Sequence, residues 1–313
     1  SIFIWSMLAA LLSAAIWVNL ATMVGAPVST THSIVGGVMG EGIAAAGVSS
    51  VNWVVMAKIA ASWVISPLLG GLIAAAFLLF IKYAVLYKDD KIAAAKRWVP
   101  VLVAIMAAAF SVYLVMKGFK RIWRPDASMI AAIGVAAFGL SYVIVKSAVV
   151  RAAVNLENRR KSVGNLFTIP LICAAALLSF AHGSNDVANA VGPLAAIVSA
   201  VTQGTVAAKV TLPLWVLAIG AIGISVGLLL FGPKIIEIVG EKITKLDRVR
   251  AFCVALSASI TVIIASTLGL PVSSTHIAVG AVFGVGFLRE FITNRRIKFA
   301  MPKAIGAQAG TEN

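Results

Sequence analysis

The chain has 313 residues, 61% of them hydrophobic and 12% charged, about half the charged share of an ordinary soluble domain, and this excludes a single soluble globular fold. A formal net charge of +15 would suit a nucleic-acid partner, but the lysines and arginines gather in short stretches between apolar runs, at 88–97, 117–124, 146–161, 234–250 and 289–303. That is the positive-inside pattern of membrane proteins, so no nucleic-acid partner is expected; because consecutive connections are similarly basic, the pattern does not orient the chain.

Uncharged runs at 59–81, 98–116, 127–145, 210–233 and 251–288 approach or exceed the roughly 20 residues a helix needs to cross a bilayer. They predict an all-α polytopic membrane protein in contact with a lipid bilayer. The two cysteines, Cys173 and Cys253, lie in apolar stretches and offer neither a disulfide framework nor metal-ligand spacing. The opening stretch is apolar from Ile2, with no basic lead or small-residue cleavage site. It is therefore no signal peptide and reads as a chain entered in mid-protein.

In chain order, residues 1–24 form a first span, with Asn19 and Thr22 near its end. Next comes Gly25-Ala26-Pro27-Val28-Ser29-Thr30-Thr31-His32-Ser33-Ile34-Val35-Gly36-Gly37-Val38-Met39-Gly40. Spans follow at 58–87, with Pro67 and Gly70-Gly71 inside it, at 98–116 and at 127–145. A polar connection at 151–163 contains Asn155, Glu157 and Asn158 and divides the chain into halves. The first half, 1–150, reads as a partial first repeat and the helices after it. The second, 164–296, reads as a second repeat, with spans at 211–231 and 251–268, and a polar tail occupies 297–313.

The second half opens with an apolar stretch that runs into Ala181-His182-Gly183-Ser184-Asn185-Asp186-Val187-Ala188-Asn189-Ala190-Val191-Gly192-Pro193. From Ser162 to Ala208 the only charged residue is Asp186. An ionisable group at bilayer depth is costly, needs a partner and marks a functional site by default. Gly183 and Gly192-Pro193 predict a helix broken at this stretch, its freed backbone groups lining a cavity.

Near its end the chain reads Gly269-Leu270-Pro271-Val272-Ser273-Ser274-Thr275-His276-Ile277-Ala278-Val279-Gly280-Ala281-Val282-Phe283-Gly284. This matches the stretch from Gly25 to Gly40 without gaps at an offset of 244, with ten of sixteen positions identical. Two copies of one polar, helix-interrupting element within a membrane chain indicate structural repeats. Proline resets the backbone, serine and threonine cap a helix start, and the start offers hydroxyls, free N–H groups and the positive end of the helix dipole to an anion. His32 and His276 each follow the hydroxyl run and are expected to orient neighbours rather than relay protons. At the same offset, a mate for the Asn185-Asp186 element falls about 59 residues before Ser1, and it is expected upstream of this chain.

These three stretches, at 27–36, 181–193 and 271–280, resemble the inorganic phosphate transporter (PiT) family, and the resemblance spans the chain to about Arg296. It implies an inverted-repeat transporter with broken or re-entrant helices, multi-pass in a cell or inner membrane, and no enzyme. The implied activity is cation-coupled phosphate symport by alternating access, with co-transported Na⁺ or H⁺, no cofactor, and a homodimeric assembly. Residue by residue, it implies that Ser29, Thr30, Thr31, Ser273, Ser274 and Thr275 hold phosphate. Asn185, Asp186 and Asn189 would hold the cation, Asp186 being the Na⁺ ligand if sodium is the coupling ion, with His32 and His276 in support.

The residues supply a reason for coupling. None of the three elements contains Lys or Arg, so phosphate beside Asp186 at low dielectric is repelled until a cation or proton occupies the carboxylate. The alternative substrate is sulfate, carried by a permease of the same fold; phosphate is favoured because it can donate a hydrogen bond to a carboxylate. A hydrolase built on His182, Ser184 and Asp186 is disfavoured because a spacing of two places these residues on different helix faces.

Overall fold

Inside hydrocarbon every backbone polar group must be satisfied within the chain, so bilayer-length apolar runs fold as helices. The computed structural model describes residues 2–26, 28–118, 125–206, 210–237, 246–269 and 272–308, with side chains described except at 117–118, 234–237 and 295–308. Among these residues there is no strand. The helices are α1 (Ile2–Met23), α2 (Thr30–Ala46), α3 (Trp53–Ile81), α4 (Lys91–Tyr113), α5 (Ala127–Ala152), α6 (Arg160–Leu166), α7 (Thr168–Ala190), α8 (Gly192–Gln203), α9 (Leu214–Glu237), α10 (Arg248–Thr267) and α11 (Ser274–Gln308). Eight are long and apolar enough to cross a membrane, and the protein is a multi-pass integral membrane protein.

Several helices begin earlier than the apolar runs predict because a polar residue ahead of the run caps them. Asn52 accepts from the Val55 N–H, Asp90 from Ala93 and Asp247 from Arg250, each satisfying one of the donors a helix start leaves open. Pro67 does not divide α3, which runs unbroken through it, and α11 continues from Ser274 through the basic stretch at 289–303 that the sequence suggested as a connection. Pro27 and Pro271, expected to reset the backbone ahead of the two hydroxyl runs, lie outside the described residues, as do 119–124, 238–245 and 309–313.

The two matched stretches form the tips of two helical hairpins, α1–α2 and α10–α11. In the first, Ile2 and Phe3 share a cavity wall with Ala46 and Asn52, so α1 starts, and α2 ends, where α3 begins. In the second, Arg248 and Arg289 share a cavity wall with Leu86 and Tyr87, so α10 starts, and α11 passes, where α3 ends. The hairpins therefore enter from opposite ends of α3, an inverted arrangement. At 1.5 Å per residue, Ala46 lies about 24 Å beyond Thr30, and Arg289 about 22 Å beyond Ser274. Both tips thus reach the middle of a bilayer-sized layer.

Charge separates along the same axis. Asn158 accepts from the Lys91 N–H (2.9 Å) and donates to the Asp89 carbonyl (2.6 Å), tying the α5–α6 connection to the α3–α4 connection. Lys82, Lys88, Lys91, Arg151, Arg159, Arg160 and Lys161 consequently gather at the end that also holds Arg248, Arg250 and Arg289. Among the described residues, the basic connections at 88–91 and 151–161 thus share one end in space with the basic residues of α10 and α11.

The α10 helix is the buried axis of the bundle: Phe252, Cys253, Leu256, Ala258 and Val262 are fully buried, and the Phe252 ring meets that of Phe167 at 5.3 Å. Its neighbours α3 and α11 run parallel and pack backbone to backbone. A methyl group at Gly71 would lie 2.8 Å from the Gly280 carbonyl oxygen, and one at Gly284 would overlap the Gly71 carbonyl. Small residues allow such approach where no hydrophobic force drives helices together in lipid. Gly284→Leu is expected to lower stability by at least about 1–3 kcal/mol, the ordinary cost of overpacking, read as earlier thermal unfolding in detergent, whereas Gly286→Ala, with open space around it, leaves stability near that of the parent.

Candidate functional site

Both matched stretches fold alike. Ser29, with extended backbone, caps α2 by accepting from the His32 N–H at 3.2 Å, and Ser273 caps α11 by accepting from the His276 N–H at 3.1 Å. The first intrahelical bonds are Ser33 N–H to the Ser29 carbonyl and Ile277 N–H to the Ser273 carbonyl. The N–H groups of Thr30, Thr31, Ser274 and Thr275 precede them, so four donors at two helix starts lie outside the helical ladders. Ser29, Ser273, Ser274 and Thr31 are buried, and Thr30 and Thr275 are half-buried.

The α7 helix passes between the tips. It is not broken at the Asn-Asp stretch, contrary to the expectation from Gly183: helix continues through to Ala190, and the interruption is a single turn residue, Val191, before Gly192-Pro193 opens α8. Open backbone groups therefore come from the two capped starts, while α7 supplies side chains. Asp186 is 3% exposed and receives four donors. Thr30 Oγ1 donates to its Oδ2 at 2.7 Å, and Ser274 Oγ donates to its Oδ1 at 3.2 Å. Asn185 Nδ2 lies 3.1 Å from Oδ1, and His182 Nε2 lies 3.1 Å from Oδ2. Thr30 and Ser274 occupy the same position in the two matched stretches, so each repeat contributes one hydroxyl to one carboxylate.

A second layer of bonds fixes the rest. Asn189 Nδ2 donates to Thr31 Oγ1 at 3.1 Å, and Thr31 Oγ1 and Asn185 Nδ2 reach the Val272 carbonyl at 3.3 and 3.2 Å. The His32 and His276 rings, also matched positions, lie 4.5 Å apart by centroid, and Trp63 sits edge-on to His32 at 3.7 Å. A mostly apolar cavity of about 970 Å³ opens beside the tips between α1, α2, α3 and α8, with Asn189 on its wall. All eleven residues singled out from the sequence thus come together around α7 and the two tips.

Three participants were missed. His182 stands one helical turn before Asp186, and the i,i+4 spacing that brings them together was available in the sequence. Tyr113 on α4 bonds Ser184 at 2.7 Å, and the Val272 carbonyl accepts twice; no local signal points to either. Ser184, held by Tyr113, is on a different face from His182 and Asp186, as the spacing argument against a hydrolase requires.

A membrane bundle whose two inverted hairpins present anion-suited helix starts to one carboxylate defines a transporter-type site at the bilayer midplane. The chain matches the model of the phosphate transporter family over residues 1–307, and it belongs to that family. It is 55% identical over 303 residues to a protein of Helicobacter pylori (strain J99) named "Putative phosphate permease", covering 96% of this chain and 57% of that one. A protein of Pyrococcus abyssi carrying the same name is 40% identical over 290 residues, covering 92% of this chain and 71% of the other. A solved structure titled "The sodium-dependent phosphate transporter" superposes with a TM-score of 0.86 at 39% identity, covering 92% of this chain and 71% of its own. The chain thus spans just over half the length of its Helicobacter relatives.

The caps can be tested apart from function. Ser29→Ala and Ser273→Ala are each expected to lose about 1 kcal/mol, the usual value of an N-cap hydroxyl, with Ser→Thr at either position recovering part of the loss. Thermal unfolding of the four purified variants reads this directly.

Proposed function

We propose that this protein carries inorganic phosphate across the membrane, bound between the two helix starts and coupled to a cation at Asp186. The observation that carries the reading is that Thr30 and Ser274, the hydroxyls best placed to hold phosphate, are donated to the Asp186 carboxylate. Phosphate recruits these donors only by taking them from Asp186. A buried carboxylate stripped of its donors beside an arriving anion is strongly unfavourable. A cation at Asp186, held also by the side-chain oxygens of Asn185 and Asn189, replaces the lost donors and cancels the repulsion. Each ligand thereby raises the affinity of the other, as symport requires.

In this reading Ser29, Thr31, Ser273 and Thr275 complete the phosphate cage with the four N–H groups of the first turns, and His32 and His276 brace the two tips against each other. Sodium is preferred as the coupling ion: the solved relative is titled sodium-dependent, and carboxylate and amide oxygens suit a hard cation. Assembly as a homodimer belongs to the same reading on family resemblance. Sulfate fits the hydroxyl and N–H cage equally in shape, but it has no proton to offer a carboxylate.

In proteoliposomes, phosphate uptake is expected to follow an imposed inward sodium gradient, and Asp186→Asn to abolish that dependence. Uptake by the variant that still tracked the gradient would overturn the assignment of Asp186. A hundredfold excess of sulfate is expected to leave labelled phosphate uptake largely unchanged; full competition would favour the sulfate permease.

A further inference from the structure

Some 20 Å along α11 from the tip, at the basic end, lies a second cavity of about 610 Å³ that the transport reading does not use. Among the described residues, six cationic side chains line it, Lys82, Arg160, Lys161, Arg248, Arg250 and Arg289, against one carboxylate, Asp247. Asp247 is fully engaged: its Oδ1 caps α10, and its Oδ2 receives Arg250 Nε and Nη2, both at 2.9 Å. The remaining Arg250 nitrogen, Nη1, is buried and has no acceptor. Arg248 reaches the Asn165 amide oxygen, and Arg160 lies over the Tyr87 ring at 5.9 Å. Among the described residues, the ion pairs give no carboxylate to Arg160, Lys161, Arg248 or Arg289.

Converging cations that lack carboxylates, with a guanidinium N–H buried and unbonded, make a site for an anion with several oxygens; guanidinium forks match phosphate oxygens well. The walls decide what kind. Leu78, Leu86, Val249 and Ile292 complete the cavity, and it lies at the ends of membrane-spanning helices, where headgroup meets acyl chain. A soluble phosphate has nothing to place against those residues, whereas a glycerophospholipid does. Basic pockets between the ends of membrane-spanning helices are a recognised form of anionic-lipid site.

We propose that this cavity binds the phosphodiester headgroup of an anionic phospholipid. The lipid joins the ends of α3, α6, α10 and α11, and so anchors the base of the hairpin whose tip carries Ser273 and Ser274.

Native mass spectrometry of the protein released from nanodiscs tests this, with phosphatidylglycerol or cardiolipin compared against phosphatidylcholine. The parent is expected to retain one or two anionic lipids, and at least tenfold less phosphatidylcholine. The triple variant Arg160→Gln/Lys161→Gln/Arg289→Gln, at three exposed positions, is expected to lose that retention by at least tenfold. Lys88→Gln/Lys96→Gln/Lys146→Gln removes the same charge outside the cavity and is expected to retain lipid as the parent does. If both triple variants lose lipid equally, or neither does, the site is overturned. Displacement of the lipid by millimolar inorganic phosphate would also overturn it, as a site for a soluble anion. Single Arg289→Gln, with helicity checked by circular dichroism, separates loss of binding from loss of fold.

Discussion

A carboxylate buried inside a bundle of membrane-spanning helices must find hydrogen-bond donors or lose its charge. Asp186 finds four, and they come from three helices that are remote in sequence: Thr30 from α2, Ser274 from α11, and His182 and Asn185 from its own helix. Much of the site's geometry follows from this requirement. The two hairpin tips must meet at α7, and they do so with equivalent residues, because one carboxylate has two oxygens and each repeat offers one hydroxyl. The histidine pair, the Asn189–Thr31 bond and the twice-used Val272 carbonyl close the remaining gaps around that node.

The same node joins stability to function. In the proposed reading, the donors that hold the hairpins on Asp186 are those phosphate recruits, so binding exchanges one set of bonds for another. The closest packing lies elsewhere, in the glycine-lined contact of α3 with α11 and in buried α10. Under the proposed function, such a division gives a packed frame around polar contacts that can be exchanged. The basic cavity beside α11 lies about four turns of helix from Ser274.

Much of the fold was legible in the chain because membrane physics leaves few options. Apolar runs of bilayer length had to be helices, and those expected near 1–24, 127–145, 211–231 and 251–268 are present. Ser29 and Ser273 could be read as caps because the capping rule is local. The misreadings have equally physical causes. Gly183 lowers helix propensity but does not stop the helix, so of the two expected interruptions only the one at Gly192-Pro193 is present, as a turn at Val191. His182 was overlooked as a partner of Asp186, although their spacing of four was in view.

Two matched hydroxyl runs and one intramembrane carboxylate are properties of the sequence, and they named all eleven candidate site residues. Their meeting is not a sequence property, since Thr30 and Asp186 stand 156 residues apart and Ser274 and Asp186 stand 88 apart. Only the tertiary structure placed both hydroxyls on one carboxylate, because hairpins entering from opposite ends of α3 can share a point only at their tips. Charge divides the same way: the lysines and arginines can be counted in the chain, but only the folding of the connections onto one end converts similar loops into a single basic face with a cavity in it.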